Sequence, residues 1–245
     1  MPAIQASLSD LHRADGSATY TQDGYSVLGA VNGPIEVQRR DELPEEAAIE
    51  VNVRPAIGVG SPKERHLETI IHSTLRHIVL VRNFPRTLIQ LTLQVLSMPE
   101  GDPGAERSAS SSISLLPALL NSSVLTLLSA NIPLRSTFTA VLLCVSPDAS
   151  IIASPNPKQL AAASSTHVFA FSGARDLLLA ESEGACDMDT WNALHDTAQR
   201  LCCNVETAEG ETGMEVDVPA DNLLARVKEA VRQKIERDQA WKEAS

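Results

Sequence analysis

The 245-residue sequence predicts an α+β fold made of two strand-rich halves, each backed by helices, within a single domain over residues 1–245. Three observations carry this reading. Between Gly16 and Pro55 apolar residues recur with period two, split by turn residues at Asp23-Gly24 and Asn32-Gly33-Pro34. From Ser61 and again from Leu115 the period lengthens to that of a helix. Strand patterns then return in STFTAVLLCV and THVFAF, and two further helical patterns follow. With 43% apolar residues, a chain of this length can bury a sizeable core, which excludes disordered and fibrous classes.

The first half opens as an antiparallel meander of SATYTQ, YSVLGAV, PIEVQRR and AAIEVNVRP, in which Gly16, Gly24 and Gly33 answer to turn geometry. Ser61-Pro62-Lys63-Glu64 supplies an N-cap, a proline at the first helical position and a glutamate at the third. The helix so begun carries Leu67, Ile70, Ile71, Leu75, Ile78 and Val79 on one face. Pro85 ends the helical pattern. TLIQLTLQVLS then alternates, with Ile89, Leu91, Leu93 and Val95 on one side and Leu88, Gln90, Thr92 and Gln94 on the other, as for a strand that faces helices with one side only.

Residues 98–113 are rich in Pro, Gly and Ser and read as a mobile insertion loop. Leu115, Leu116, Leu119, Leu120, Val124, Leu127 and Leu128 predict a helix buried around most of its circumference, closed by Asn131-Ile132-Pro133. A later helix runs from about Asp187 or Asp189 to Cys202 with Trp191, Leu194, Ala198 and Leu201 aligned. Residues 219–245 read as an amphipathic C-terminal helix, with Leu224, Val227, Val231 and Ile235 as its apolar line.

Composition narrows the function. The formal net charge is -11, so any nucleic-acid contact must come from a local basic patch or from partners. The cysteines, Cys144, Cys186, Cys202 and Cys203, have no metal-hook spacing, and Cys144 inside an apolar strand reads as an inert core thiol. No apolar run is long enough for a membrane helix, and the expectation is a soluble intracellular protein without membrane, metal or cofactor. His72 and His77 share a helix without the spacing of a zinc protease, and Asp187 with Asp189 reads as helix capping.

The ordered motifs ADGSATYTQDGYSVLGAVNGPIEV, AAIEVNVRP, NFPRTLIQLTLQVL and SLLPALLNSSVLTLLSANIPL resemble the ribonuclease PH family, in the branch of eukaryotic exosome ring components. The resemblance runs with gaps from roughly Ala14 to Pro147. It implies a ribonuclease PH-like fold (ribosomal protein S5 domain 2-like) with two pseudo-repeated β-α-β-α halves, and packing into a six-membered ring around an RNA channel. The implied partners are other ribonuclease PH-like subunits, especially the ribosomal RNA-processing protein 43 paralogue, together with RNA-binding cap subunits, associated hydrolytic ribonucleases and single-stranded RNA. The implied locations are nucleus, nucleolus and cytoplasm.

Active members of the family cleave RNA from its 3′ end by phosphorolysis, which brings two anions together and therefore requires cationic donors and an acid. Their Gly-Thr-Arg-Thr stretch carries over onto Ile113, Ser114, Leu115 and Leu116, a degenerate phosphate site with leucine where the arginine should be. The second acidic motif falls at Ile151 to Leu160, where IIASPNPKQL has no carboxylate, and Glu100, Asp102 or Asp148 are the remaining candidates for a displaced acid. No catalytic residue is therefore assigned. Arg86, in the Pro-Arg-Thr motif, resembles an arginine that guides RNA in active relatives, and Arg82, Lys63, Arg39 and Arg40 are further RNA-binding candidates. The expected role is a non-catalytic structural subunit supporting 3′-to-5′ RNA processing. Its rivals are an active phosphorolytic exoribonuclease and a ring-independent protein- or RNA-binding module.

Overall fold

The computed structural model describes residues 4–40, 42–99, 113–203 and 223–243. Its first sheet holds β1 (Gln5–Leu8), β2 (Gly16–Gln22), β3 (Tyr25–Glu36), β4 (Ala48–Arg54) and β5 (Thr87–Ser97) in the order β1-β2-β3-β5-β4. The second holds β6 (Phe138–Val145), β7 (Ile151–Ala153), β8 (Ser165–Ser172) and β9 (Leu177–Gly184) in the order β7-β6-β8-β9. Helix α1 (Pro62–Ile78) connects β4 to β5, and α2 (Leu116–Ser129) lies between the two sheets. After the short α3 (Pro157–Ala162), helix α4 (Met188–Cys203) covers the far face of the second sheet and α5 (Leu223–Glu243) packs along β1.

Local sequence explains the framework. The Ser61 side chain accepts from Lys63 N at 3.3 Å, and Glu64 Oε2 accepts from Ser61 N at 2.6 Å, so the capping box closes the first turn of α1. Leu67, Ile70, Ile71, Leu75 and Ile78 are buried beneath it. In β5 the alternation is realised: Ile89, Leu91, Leu93 and Val95 are buried and the opposite row is not. The first sheet thus has one helix-covered face.

Helix α2 is buried on nearly every side because it serves both sheets, and Ala140, Leu142, Val168 and Ala170 of the second sheet share its core cluster. The opposite face of that sheet, with Val141, Leu143, Phe169 and Phe171, packs on Leu194, Ala198 and Cys202 of α4. Cys144 is fully buried and its thiol is pushed up by desolvation, as expected of a core thiol. All four cysteines are free.

A polar contact fixes α2. The Asn121 amide accepts from Ala140 N at 2.8 Å and donates to Ala140 O at 3.0 Å, so one side chain pairs with both backbone groups of a β6 residue. The same amide reaches Tyr20 Oη at 3.2 Å and Gln22 Oε1 at 3.4 Å on β2, and Tyr20 donates to Gln22 at 2.7 Å. At the other end of α2, Lys234 of α5 donates to the Ser129 carbonyl at 2.6 Å, placing a cation at the negative helix terminus.

Several sequence expectations are corrected. Asn32-Gly33-Pro34 is not a turn: β3 continues through it, with a register shift between Asn32 and Ile35. The bulge accommodates a proline that has no N–H, and Gly33, at φ 144°, lies so close to Leu88 that a side chain would meet its carbonyl at 2.7 Å. AAIEVNVRP is not a meander strand either. It pairs parallel to β5, because α1 carries the chain back to the start of the sheet before β5 inserts between β3 and β4. Gly16 has no turn conformation; a Cβ there would collide with Ala130. Strands β1, β7 and β9 and helix α3 were not expected, and Ile235 on the predicted apolar line is 49% exposed. The insertion at 98–113 falls largely, and the start of the C-terminal helix wholly, outside the described residues.

Replacing Asn121 with alanine leaves two backbone groups of β6 without partners and is expected to destabilise the protein by about 2–5 kcal/mol in urea unfolding. Its neighbour provides the contrast. Ser122 Oγ is buried with no hydrogen-bond partner, so Ser122→Ala should change stability by no more than about 0.5 kcal/mol, or raise it.

Candidate functional site

The chain direction divides the candidates between two poles. One pole carries the β2–β3 tip, the C-terminal ends of β4 and β5, and the start of both α1 and α2. The other carries the C-terminal end of α1, the start of β5 and the 3-10 turn Val81–Asn83. The 17 residues of α1 separate the two by about 25 Å.

At the first pole, Ile113–Leu115 form a 3-10 turn that runs directly into α2, with Pro117 inside the first helical turn. Leu115 is 5% exposed and Leu116 0%, and both belong to the main core. A guanidinium placed at Leu115 would be taken into this apolar cluster rather than offered to a bound anion. Ser114 is buried at 7% exposure. The segment Ile151–Leu160 forms β7 and most of α3, closed by a second capping box in which Asn156 N donates to Gln159 Oε1 at 2.8 Å. Of the displaced-acid candidates, Asp148 lies exposed in a turn, while Glu100 and Asp102 lie outside the described residues.

Sequence reasoning missed an acid at this pole. Asp23, taken only as a turn residue, adopts φ 53° beside Gly24 at φ 85°. Burial pushes its carboxyl above the ordinary value, and hydrogen bonds from Ser154 and Gln22 oppose the shift. Asp23 thus ties the β2–β3 tip to the segment after β7. The only signal in the sequence was the Asp-Gly pair, which reports backbone geometry and not burial.

The basic candidates do not assemble into one patch. Lys63, half-buried, remains with the start of α1, whereas Arg82, Arg86, Arg39 and Arg40 gather toward the second pole and are exposed. Arg86, at φ 62°, donates its backbone N–H to Leu43 O at 3.2 Å, and its guanidinium lies 3.3 Å from Glu42. Arg82 lines a cavity of about 580 Å³ together with Glu46, His72, Arg76, His77 and Arg135.

Two sheets that share a central helix, each covered by further helices, describe a ribonuclease PH-like fold. Residues 3–133 match the model of "RNase_PH: 3' exoribonuclease family, domain 1", and the chain belongs to this family. It is similar to the exosome complex component RRP46 of Saccharomyces cerevisiae, at 30% identity over 84% of this chain and 92% of that protein. Its similarity to exosome complex component rrp46 of Schizosaccharomyces pombe is 35% over 51% of this chain and 50% of that protein. Among solved structures it resembles rice (Oryza sativa) Rrp46, with a TM-score of 0.69 and 27% identity, covering 81% of this chain and 87% of the other.

Two outcomes are expected. Leu115→Arg should not create phosphorolysis and should cost about 3 kcal/mol or more in unfolding free energy, since the charge enters a closed core. For Asp23, the folded state binds a proton more readily than the unfolded chain, so stability falls as pH rises through the window above the ordinary aspartate value. Asp23→Asn should therefore unfold at higher urea than the wild type at neutral pH, and the gap should close as pH drops to the ordinary aspartate range.

Proposed function

We propose that this chain is a non-catalytic structural subunit of the RNA exosome core ring that supports 3′-to-5′ RNA processing and degradation by associated hydrolytic nucleases. The observation that carries this reading is Leu115: the position of the family's phosphate-binding arginine is apolar, 5% exposed and part of the core. Without a cation there, the attacking anion and the RNA phosphate repel each other with nothing from this chain to offset it. The similarity to the yeast RRP46 component over 92% of its length supports placement in the ring.

Within that reading the chain pairs with the ribosomal RNA-processing protein 43 paralogue, meets RNA-binding cap subunits, and shares the distribution of the particle between nucleus, nucleolus and cytoplasm. The exposed residues Arg82, Arg86, Arg39 and Arg40, with Lys63 at the other pole, are its RNA contacts. Contacts of this kind hold phosphate without selecting sequence, which suits a channel that must pass any transcript.

The test uses labelled single-stranded RNA with inorganic phosphate, given to the protein alone and co-assembled with its ring paralogues. No nucleoside diphosphate should be released by this subunit, and native mass spectrometry should recover it with several different subunits. Phosphate-dependent release that disappears on mutating Ser114 or Asp23 would overturn the non-catalytic reading. Recovery as a lone chain in the presence of the paralogues would overturn ring membership.

A further inference from the structure

The cavity at the second pole has a charge balance opposite to that of the chain. Three arginines, Arg76, Arg82 and Arg135, line it against one acidic residue, Glu46. Arg76 already holds Glu46 at 2.7 Å, which leaves two cations in surplus in a chain whose formal net charge is -11. Among the described residues, neither the Arg82 nor the Arg135 side chain has a hydrogen-bond or ion-pair partner. Both residues are exposed. Two unpaired arginines beside a concavity present donors in the fork geometry that suits phosphate oxygens.

The backbone at this place is the C-terminal end of α1, whose partial negative charge the surplus arginines must outweigh for an anion to bind. Two of the carbonyls that end α1 are engaged: Leu75 O accepts from Val79 N at 2.8 Å and Ile78 O accepts from Arg135 N at 2.7 Å. The second bond also fixes where Arg135 stands relative to α1. Val79, Leu80 and Val81 give the cavity an apolar wall, and its volume of about 580 Å³ exceeds what a single acidic side chain would fill. His72 and His77 add ring nitrogens to the lining.

We propose that this cavity is a phosphate-binding site that takes a backbone phosphate of single-stranded RNA through Arg82 and Arg135, with the sugar or base against Val79–Val81. A polynucleotide fits better than an acidic protein segment because Arg39, exposed at the same pole, continues the basic groups in a way that suits a repeating anion; Arg86 there lies 3.3 Å from Glu42. The site is separate from the leucine-filled pocket, from which it is divided by the length of α1. It does not depend on ring membership, because all of its residues come from this chain.

The experiment measures binding of a fluorescent oligoadenylate to the full chain alone by anisotropy across a salt series, for wild type, Arg82→Gln/Arg135→Gln and Arg65→Gln at the opposite pole. Thermal unfolding of each variant checks that the exposed substitutions leave the fold intact. The double variant should weaken binding about tenfold at low salt and reduce the slope of log K against log salt by about 1.4, two contacts at roughly 0.7 each for a single strand. Arg65→Gln should leave both unchanged. Inorganic phosphate should compete with the oligonucleotide for wild type and not for the double variant. Equal affinity and slope for wild type and double variant would overturn the proposal. Inorganic phosphate binding that is lost in the double variant, without any change in oligonucleotide binding, would overturn the RNA assignment in favour of a small phosphate ligand. Loss of paralogue binding with RNA affinity unchanged would assign the arginines to a protein interface and overturn it as well.

Discussion

The molecule depends on how a single buried amide joins its two halves. Asn121 is 1% exposed, and its side chain pairs with both backbone groups of Ala140 while touching Tyr20 and Gln22 across the interior. In this dry setting each of these groups would be expensive to leave unmatched, so the register of α2 against β2 and β6 is set together. Burial also drives the Tyr20 hydroxyl far above its ordinary range, which keeps it neutral as a donor to Gln22. The apolar contacts around α2 are plentiful but interchangeable, whereas the amide has one arrangement that satisfies its partners.

That constraint has a chemical consequence at the helix start. With α2 held in one register, the 3-10 turn Ile113–Leu115 must deliver its last residue into the core, and Leu115 suits the position because it is apolar. A chain that placed arginine here would have to open a polar cradle around it. Leu115 and Leu116 are thus part of the packing between the halves. Positive charge is retained elsewhere, at the opposite pole, where exposed arginines stand in an otherwise acidic protein.

Local signals were the ones that could be read from the chain. The capping box at Ser61 and Glu64, the period of α1, the alternation of β5 and the all-round apolarity of α2 each depend on residues close in sequence, and each forms as expected. The parallel partner of β5 was not legible, because β4 has the same alternation that an antiparallel strand would have. Strand β9 escaped notice since its row, Leu177 to Gly184, is an exposed edge with mixed polarity, and β7 is only three residues long. The continuation of β3 through Asn32-Gly33-Pro34 likewise depended on pairing to β5, not on the turn preference of those residues.

For the sites the same division holds. The sequence by itself determined that no arginine stands at position 115 and no carboxylate between 151 and 160, because chemistry that requires a charge is settled once the residue type is known. It also determined the two-half α+β plan through the periods of its apolar residues. Only the tertiary structure decided that Asp23 is a half-buried carboxyl, that Lys63 parts company with Arg82 and Arg86, and that Arg135 joins Arg82 at one cavity. Burial and the meeting of distant cations are set by how elements dock, and docking follows from surfaces that exist only after the chain has folded.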